Sequence, residues 1–190
     1  MEETKAIIEA IIFASESPLT IDKIREVLNE VDRSEITSLV QDLINEYEER
    51  RGGFLLQEVA GGLHFRTRSD LSIWINKLMK VKQSMLTNAA METLAVVAYK
   101  QPVVKSEIDR IRGVDVGSSL KRLMDKKLVR IMGRKDVPGK PIMYGTTKKF
   151  LEIFSLKDLS ELPTLKELTD LQDGTDAPGA ESQIPDNEET

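Results

Sequence analysis

The sequence predicts a helix-rich α+β chain made of two tandem units on one plan, each of three helices closed by a β-hairpin, followed by an acidic tail. Three observations predict it. First, AIIFASESP (10–18) and LAVVAYKQP (94–102) share an apolar helix end, three polar or aromatic residues and a proline that stops the helix. Second, an isoleucine stands six residues after each proline, Ile24 and Ile108, where a second helix should bury it. Third, each copy ends in two short runs separated by turn residues, and Tyr144 and Thr146 of the second match Phe65 and Thr67 of the first. Three helices followed by a β-ribbon describe a winged helix, a binding fold, and its repetition is read as tandem duplication.

In the first copy the apolar helix runs up to Pro18. A long helix over about 33–50 places Ile36, Leu39, Val40, Leu43 and Tyr47 at helical spacing, and Asp32 with Glu35 reads as a capping box at its start. Gly52-Gly53 ends it. FLLQEV (54–59), AGG (60–62) and LHFRTR (63–68) then read as a hairpin. Residues 71–81 are expected to be a helix with Leu71, Ile75 and Leu78 on one face and Trp74 filling core beside them. In the second copy the helices are expected over 91–98, 104–111 and 116–127, with a turn at 112–115. Strands over 128–132 and 142–145 follow, joined by the loop GRKDVPGKP (133–141). Beyond them, Thr164 and Glu167 match another capping box. From residue 172 the chain is acidic, rich in Gly, Pro, Ser and Thr and without periodicity, so it is expected to be disordered.

Cysteine is absent, which excludes disulfides and Cys-based metal sites or nucleophiles and fits a reducing compartment. The opening MEETKAIIEAIIFA carries acids where a signal peptide needs basic residues, and no run reaches the roughly 18 apolar residues of a membrane span, so an intracellular protein is expected. The net charge of −5 is unevenly spread. Residues 1–79 hold 9 basic and 15 acidic side chains (−6), residues 80–157 hold 17 and 7 (+10), and residues 158–190 hold 1 and 10 (−9). An anionic partner for the middle, or an acidic segment returning to it, follows from that pattern.

Catalytic signatures fail. The single histidine, His64, alternates with Leu63 and Phe65 onto the outer face of its strand beside Arg66 and Arg68, and no nucleophile or orienting carboxylate matches it. The loop from Gly133 has five residues before Gly139 where a phosphate-binding loop needs four, Pro141 where a hydroxyl should stand, and strands on both sides. DLQDGTD (170–176) lacks calcium-loop spacing. No enzyme, metal or cofactor is expected.

Binding is the better reading. The third helix of the second copy turns Val116, Leu120, Leu123 and Met124 inward and Ser118, Lys121, Arg122 and Asp125 outward. Arg130, Arg134, Lys135 and Lys140 lie on the ribbon. Ser118, Lys121, Arg122 and Arg130 are therefore the candidate DNA contacts. The outward face offers one Arg, no Asn or Gln and one Asp, which argues for weak, non-specific contact. The corresponding helix of the first copy shows Asp42, Glu46, Glu48 and Glu49, which would repel phosphate and favours association with protein, including a second copy.

Taken together, ETLAVVAYKQPVVKSEIDRIRGVD (92–115), LVRIMGRKDVPGKPIMYGTTKKFLEIFSL (128–156) and DLSELP (158–163) resemble the segregation and condensation protein B family. The likeness covers roughly residues 5–165, is strong from 86 to 163, and in the first copy rests on helix pattern and SPLTIDKI (17–24). One departure is Val104, where a Thr cap is expected; Thr20 fills the matching place in the first copy.

The resemblance implies a non-catalytic subunit of the bacterial SMC–kleisin (condensin) complex, cytoplasmic and associated with the nucleoid. It implies a homodimer formed through an N-terminal winged-helix domain (1–80). The kleisin's central segment would bind across that dimer, with a C-terminal winged-helix domain (86–156) as the partner-binding one, followed by a short helical extension (157–171) and the acidic tail (172–190). The kleisin would link it to the SMC ATPase. Tyr99, Val103 and Tyr144, with Arg134, Lys135 and Lys140, are the expected partner-binding residues, apolar anchors within a charged surround. The competing reading is a tandem winged-helix transcription regulator.

Overall fold

The computed structural model describes residues 2–79, 86–164 and 167. It is a mixed fold of helices and small antiparallel sheets, divided into a compact unit, Met1–Leu159, and a second, Ser160–Thr190.

In the first unit α1 (Glu2–Ala14), α2 (Ile21–Leu28) and α3 (Arg33–Glu49) lead into a hairpin of β1 (Phe54–Val59) and β2 (Gly62–Thr67). Ile8, Ile12, Ile24, Ile36, Leu39, Leu43, Leu56 and Leu63 form one apolar core between them. The spacing of apolar residues on α3 is what buries it there. The hairpin turns on Ala60-Gly61, both at positive φ (53° and 74°), the backbone of a two-residue type I′ turn. Gly62 consequently opens β2, one residue before the expected start. Asp32 stands at the start of α3, but its side chain makes no capping hydrogen bond, so only the helix end, not the capping box, is realised. Thr20 does cap α2, its hydroxyl accepting the Lys23 N–H.

A 3-10 turn, Ser69–Leu71, leads to α4 (Ser72–Met79). Here one expectation is overturned: Trp74 is not core but 67% exposed, as are Ile73, Leu78 and Met79 for the most part. Of the expected face Leu71 and Ile75 are half-buried, but among the described residues nothing covers Trp74 or Leu78. The last two residues of the expected 71–81 helix lie outside the described residues.

The second half of the unit runs α5 (Asn88–Lys100), β3 (Val103–Val104), α6 (Lys105–Arg112), α7 (Gly117–Asp125), β4 (Val129–Arg134), β5 (Ile142–Thr146) and α8 (Lys148–Ile153). Leu94, Val97, Ile108, Leu120, Leu123, Val129 and Phe150 are buried in it. Strand β3 was unforeseen: Val104, read as the start of a helix, and Val103 before it pair with β5, giving a three-stranded sheet in the order β3-β5-β4. Leu19 makes the matching bridge to Leu63 in the first half, so the residue after each proline meets the second strand of its hairpin. Strand β4 extends to Arg134, past the expected end at 132, because a bulge at Met132 and a Gly133 φ of 142° carry the ladder through a glycine that reads as a turn.

In the second unit, Thr164 and Glu167 form the expected capping box: the Glu167 carboxylate accepts the Thr164 N–H (2.6 Å) and the Thr164 hydroxyl accepts the Glu167 N–H (3.3 Å). A 3-10 turn, Leu159–Glu161, precedes it. The expected disorder of 172–190, and most of the 157–171 extension beyond Thr164, lie outside the described residues.

Candidate partner-binding surface

The KQP and YGTT motifs, 45 residues apart, are joined side by side. Gln101 ends α5, and its carboxamide oxygen accepts the Thr146 N–H (2.8 Å) while its NH2 donates to the Ala98 carbonyl (3.1 Å) and the Thr146 hydroxyl (3.0 Å). Arg130 reaches the same strand end, its Nε donating to the Thr146 carbonyl (3.2 Å). Gly145, cross-strand from Arg130, leaves room for Met132 and Gln101: a Cβ there would strike the Met132 sulfur and lie 2.8 Å from the Gln101 oxygen. Thr147 caps α8 by accepting the Phe150 N–H and donates to the Lys127 carbonyl (2.6 Å), fixing Lys148 beside the sheet. The outcome is an open groove of ≈ 450 Å³ with Met132, Leu151 and Leu159 as its apolar surface and Arg130 and Lys148 as cations. It suits an apolar side chain flanked by carboxylates.

Of the residues expected from sequence only Arg130, a candidate DNA contact, lines this groove; the six expected partner-binding residues lie elsewhere. Tyr99 is 37% exposed on α5. Tyr144 is half-buried in β5 between Val103 and Ile131. Val103 itself is 2% exposed, so it supports the sheet from beneath and does not present an anchor at the surface. Of the wing cations, Arg134 closes its own loop by donating to the Lys140 carbonyl (3.1 Å). Lys135 pairs with Glu107 of α6 at 2.9 Å. That ammonium, and then the Val104 N–H, hold the Glu107 carboxyl below the usual carboxylate range. Glu107 thereby satisfies the Val104 N–H, the other half of a capping box, while the hydroxyl acceptor that a Thr would bring is missing at Val104. Lys140 is exposed at the loop tip.

Ser118, Lys121 and Arg122 are exposed on α7, whereas Arg130 belongs to the groove. The start of α7 is built by ions: Asp109 accepts the Val116 N–H and Asp115 the Gly117 N–H (both 2.8 Å), and Lys105 bridges the two carboxylates at 2.8 and 2.5 Å. Asp109 first and Asp115 second raise the Lys105 ammonium above its ordinary value, and Lys105 lowers both carboxyls. Gln101, Gly145, Thr146, Lys148, Leu151 and Leu159 were not expected from sequence as site residues. The only signal was the motif strings themselves, since the bonds joining them span the whole second half. Among the described residues no group of three or more His, Asp or Glu is arranged to hold a metal.

The family model described as segregation and condensation complex subunit ScpB matches residues 6–165. The chain belongs to the ScpB family. Segregation and condensation protein B of Syntrophotalea carbinolica is 46% identical over 169 residues, covering 89% of this chain and 85% of that protein. The Myxococcus xanthus protein of the same name is 43% identical over 170 residues, 90% of this chain but 51% of the longer relative. A solved dimer of the ScpB N-terminal domain complexed with a ScpA peptide matches at 28% identity over 40% of this chain and 95% of that one, with a TM-score of 0.38. A superposition that loose does not transfer geometry.

Proposed function

We propose that this chain is a non-catalytic, homodimeric subunit of an SMC–kleisin assembly, built of two winged-helix domains, the second of which binds the kleisin. Family membership across residues 6–165 is the observation that carries the reading. The groove between β4, β5 and α8 supports the choice of the second domain, because apolar side chains there sit beside Arg130 and Lys148 in the +10 region of the chain. Tyr99 and Tyr144, with Arg134, Lys135 and Lys140, lie outside the groove and are proposed as a further part of the kleisin contact. A scaffold of this kind links to the SMC ATPase through the kleisin and needs no active site of its own.

Calorimetric titration with the central segment of the kleisin from the same genome tests this. Lys148→Glu is expected to weaken binding by about tenfold or more, the scale of a charge reversed at the edge of a buried anchor. Arg134→Glu with Lys140→Glu probes the wing. If both variants bind like the natural chain, this surface is wrongly assigned. If the natural chain shows no binding, the kleisin reading itself fails. A second reading, weak and non-specific DNA contact through Lys121, Arg122 and Arg130, draws on the same basic region; it requires binding that ignores sequence and falls steeply with added salt.

A further inference from the structure

The first half leaves two apolar features without partners among the described residues. One is α4, on which Ile73, Trp74, Leu78 (83% exposed) and Met79 face solvent. Apolar surface of that density on one short helix marks an interface, not ordinary scatter. The other is a cleft of ≈ 280 Å³ between α1, α3 and the hairpin. Ala6 and Ala10 keep it open on the α1 side, and Phe13, Tyr47, Phe54 and Phe65 wall it. The rings brace one another: Tyr47 stands edge-on to Phe65 at 5.0 Å, Phe13 edge-on to Phe65 at 6.0 Å, and Phe54 lies 5.5 Å from Tyr47. Phe13 is nonetheless 72% exposed. At the back the Tyr47 hydroxyl donates to Glu9, and that bond, with burial, pushes the phenol up to about 12.

We propose that α4 of one copy seats Trp74 in the aromatic cleft of a second copy, and receives the second copy's α4 in return. This deepens the dimeric reading above and rests on it. Size is one argument: the cleft suits a single indole, and aromatic walls meet a ring edge-to-face. Charge leaves one acid for it: Lys77, the only charged side chain of α4, lies 4.9 Å from the Trp74 ring, and the cleft edge carries Glu9 and Glu46 beside Arg50, with Glu46 already paired to Lys5. No α4 side chain lines the cleft of its own copy. A reciprocal exchange about a two-fold axis fills both clefts, covers both helices and closes the assembly at two.

Trp74 is the only tryptophan in the chain, so its fluorescence reads the contact directly. The full chain would be diluted while its mass is followed by light scattering and Trp74 emission by wavelength and iodide quenching. The expected result is a red shift and stronger quenching that track the loss of dimer mass. Ala10→Phe, placed at an exposed position so that the fold is kept, should plug the cleft and weaken dimerisation by roughly thirtyfold, the loss of one hot-spot side chain. A dimer in which Trp74 is quenched as freely as in the monomer removes α4 from the interface and leaves the dimeric reading standing. A dimer constant unchanged by Ala10→Phe removes the cleft and leaves it to a partner segment. A mass that stays monomeric at every concentration overturns the dimeric reading together with the inference.

Discussion

Two glycines show how single atoms set the limits of this chain. At Gly62 a Cβ would lie 2.8 Å from the Pro18 carbonyl carbon and 2.9 Å from the Leu19 nitrogen, both backbone atoms held by the paired hydrogen bonds between Leu19 and Leu63. Nothing there can yield cheaply. At Gly145 the nearest atom is the far end of Met132, which can swing aside, and only the Gln101 oxygen is fixed. Gly62→Ala is therefore expected to cost about 3 kcal/mol and Gly145→Ala about 1 kcal/mol, the two ends of the usual overpacking range. Thermal melts of the two variants would check the order. Gly145→Ala should in addition reshape the groove, so its effect on kleisin affinity should exceed what its stability loss explains.

At the scale of elements, the starts of the helices differ in what holds them. Helix α2 begins on the Thr20 hydroxyl, and Thr20→Ala is expected to cost about 1 kcal/mol in a urea titration. Helix α6 begins on Val104, which offers no side-chain acceptor, and the carboxylate of Glu107 reaches back to the Val104 N–H while also gripping Lys135 of the wing. Because the Glu107 pKa is lowered in the folded chain, its contribution is present above the ordinary glutamate range and is lost as pH falls through that lowered value. Glu107→Gln should flatten that part of the acid limb of a stability–pH profile; an unchanged profile would separate the carboxylate from the wing. The helices themselves were legible in the sequence because apolar spacing survives any context: α3 was expected over 33–50 and spans Arg33–Glu49. Two-residue β3 was not, since it exists only by pairing with a strand some forty residues away. Nor was the groove, whose Gln101, Gly145 and Thr146 carry no local pattern.

Across the whole first unit, the hairpin of the first half is tied to the end of the second. The Ala60 N–H donates to the Leu156 carbonyl (2.8 Å) and the Gly61 N–H to the Lys157 carbonyl (2.9 Å). Lys157 pairs with Glu58 at 2.8 Å, and Arg66 donates to the Glu152 carbonyl (2.5 Å). A chain ending at Ser155 would free both turn amides. Hydrogen exchange at Ala60 and Gly61 should then accelerate by about tenfold or more, while Leu56 and Leu63 in the core stay protected. Equal acceleration at all four would mean that the tie supports the hairpin as a whole.

The sequence by itself determined the helices, both hairpins, the charge division and the family likeness, because periodicity, prolines, turn residues and net charge are local or additive properties. Only the tertiary structure decided which apolar faces find a partner. It left Trp74 outside, where spacing had put it in the core; it buried Val103, where composition had offered an anchor; and it engaged Arg134 and Lys135 in holding the wing. Helical spacing says that a face is apolar. Whether that face is covered depends on what the rest of the chain, or a second copy of it, brings against it.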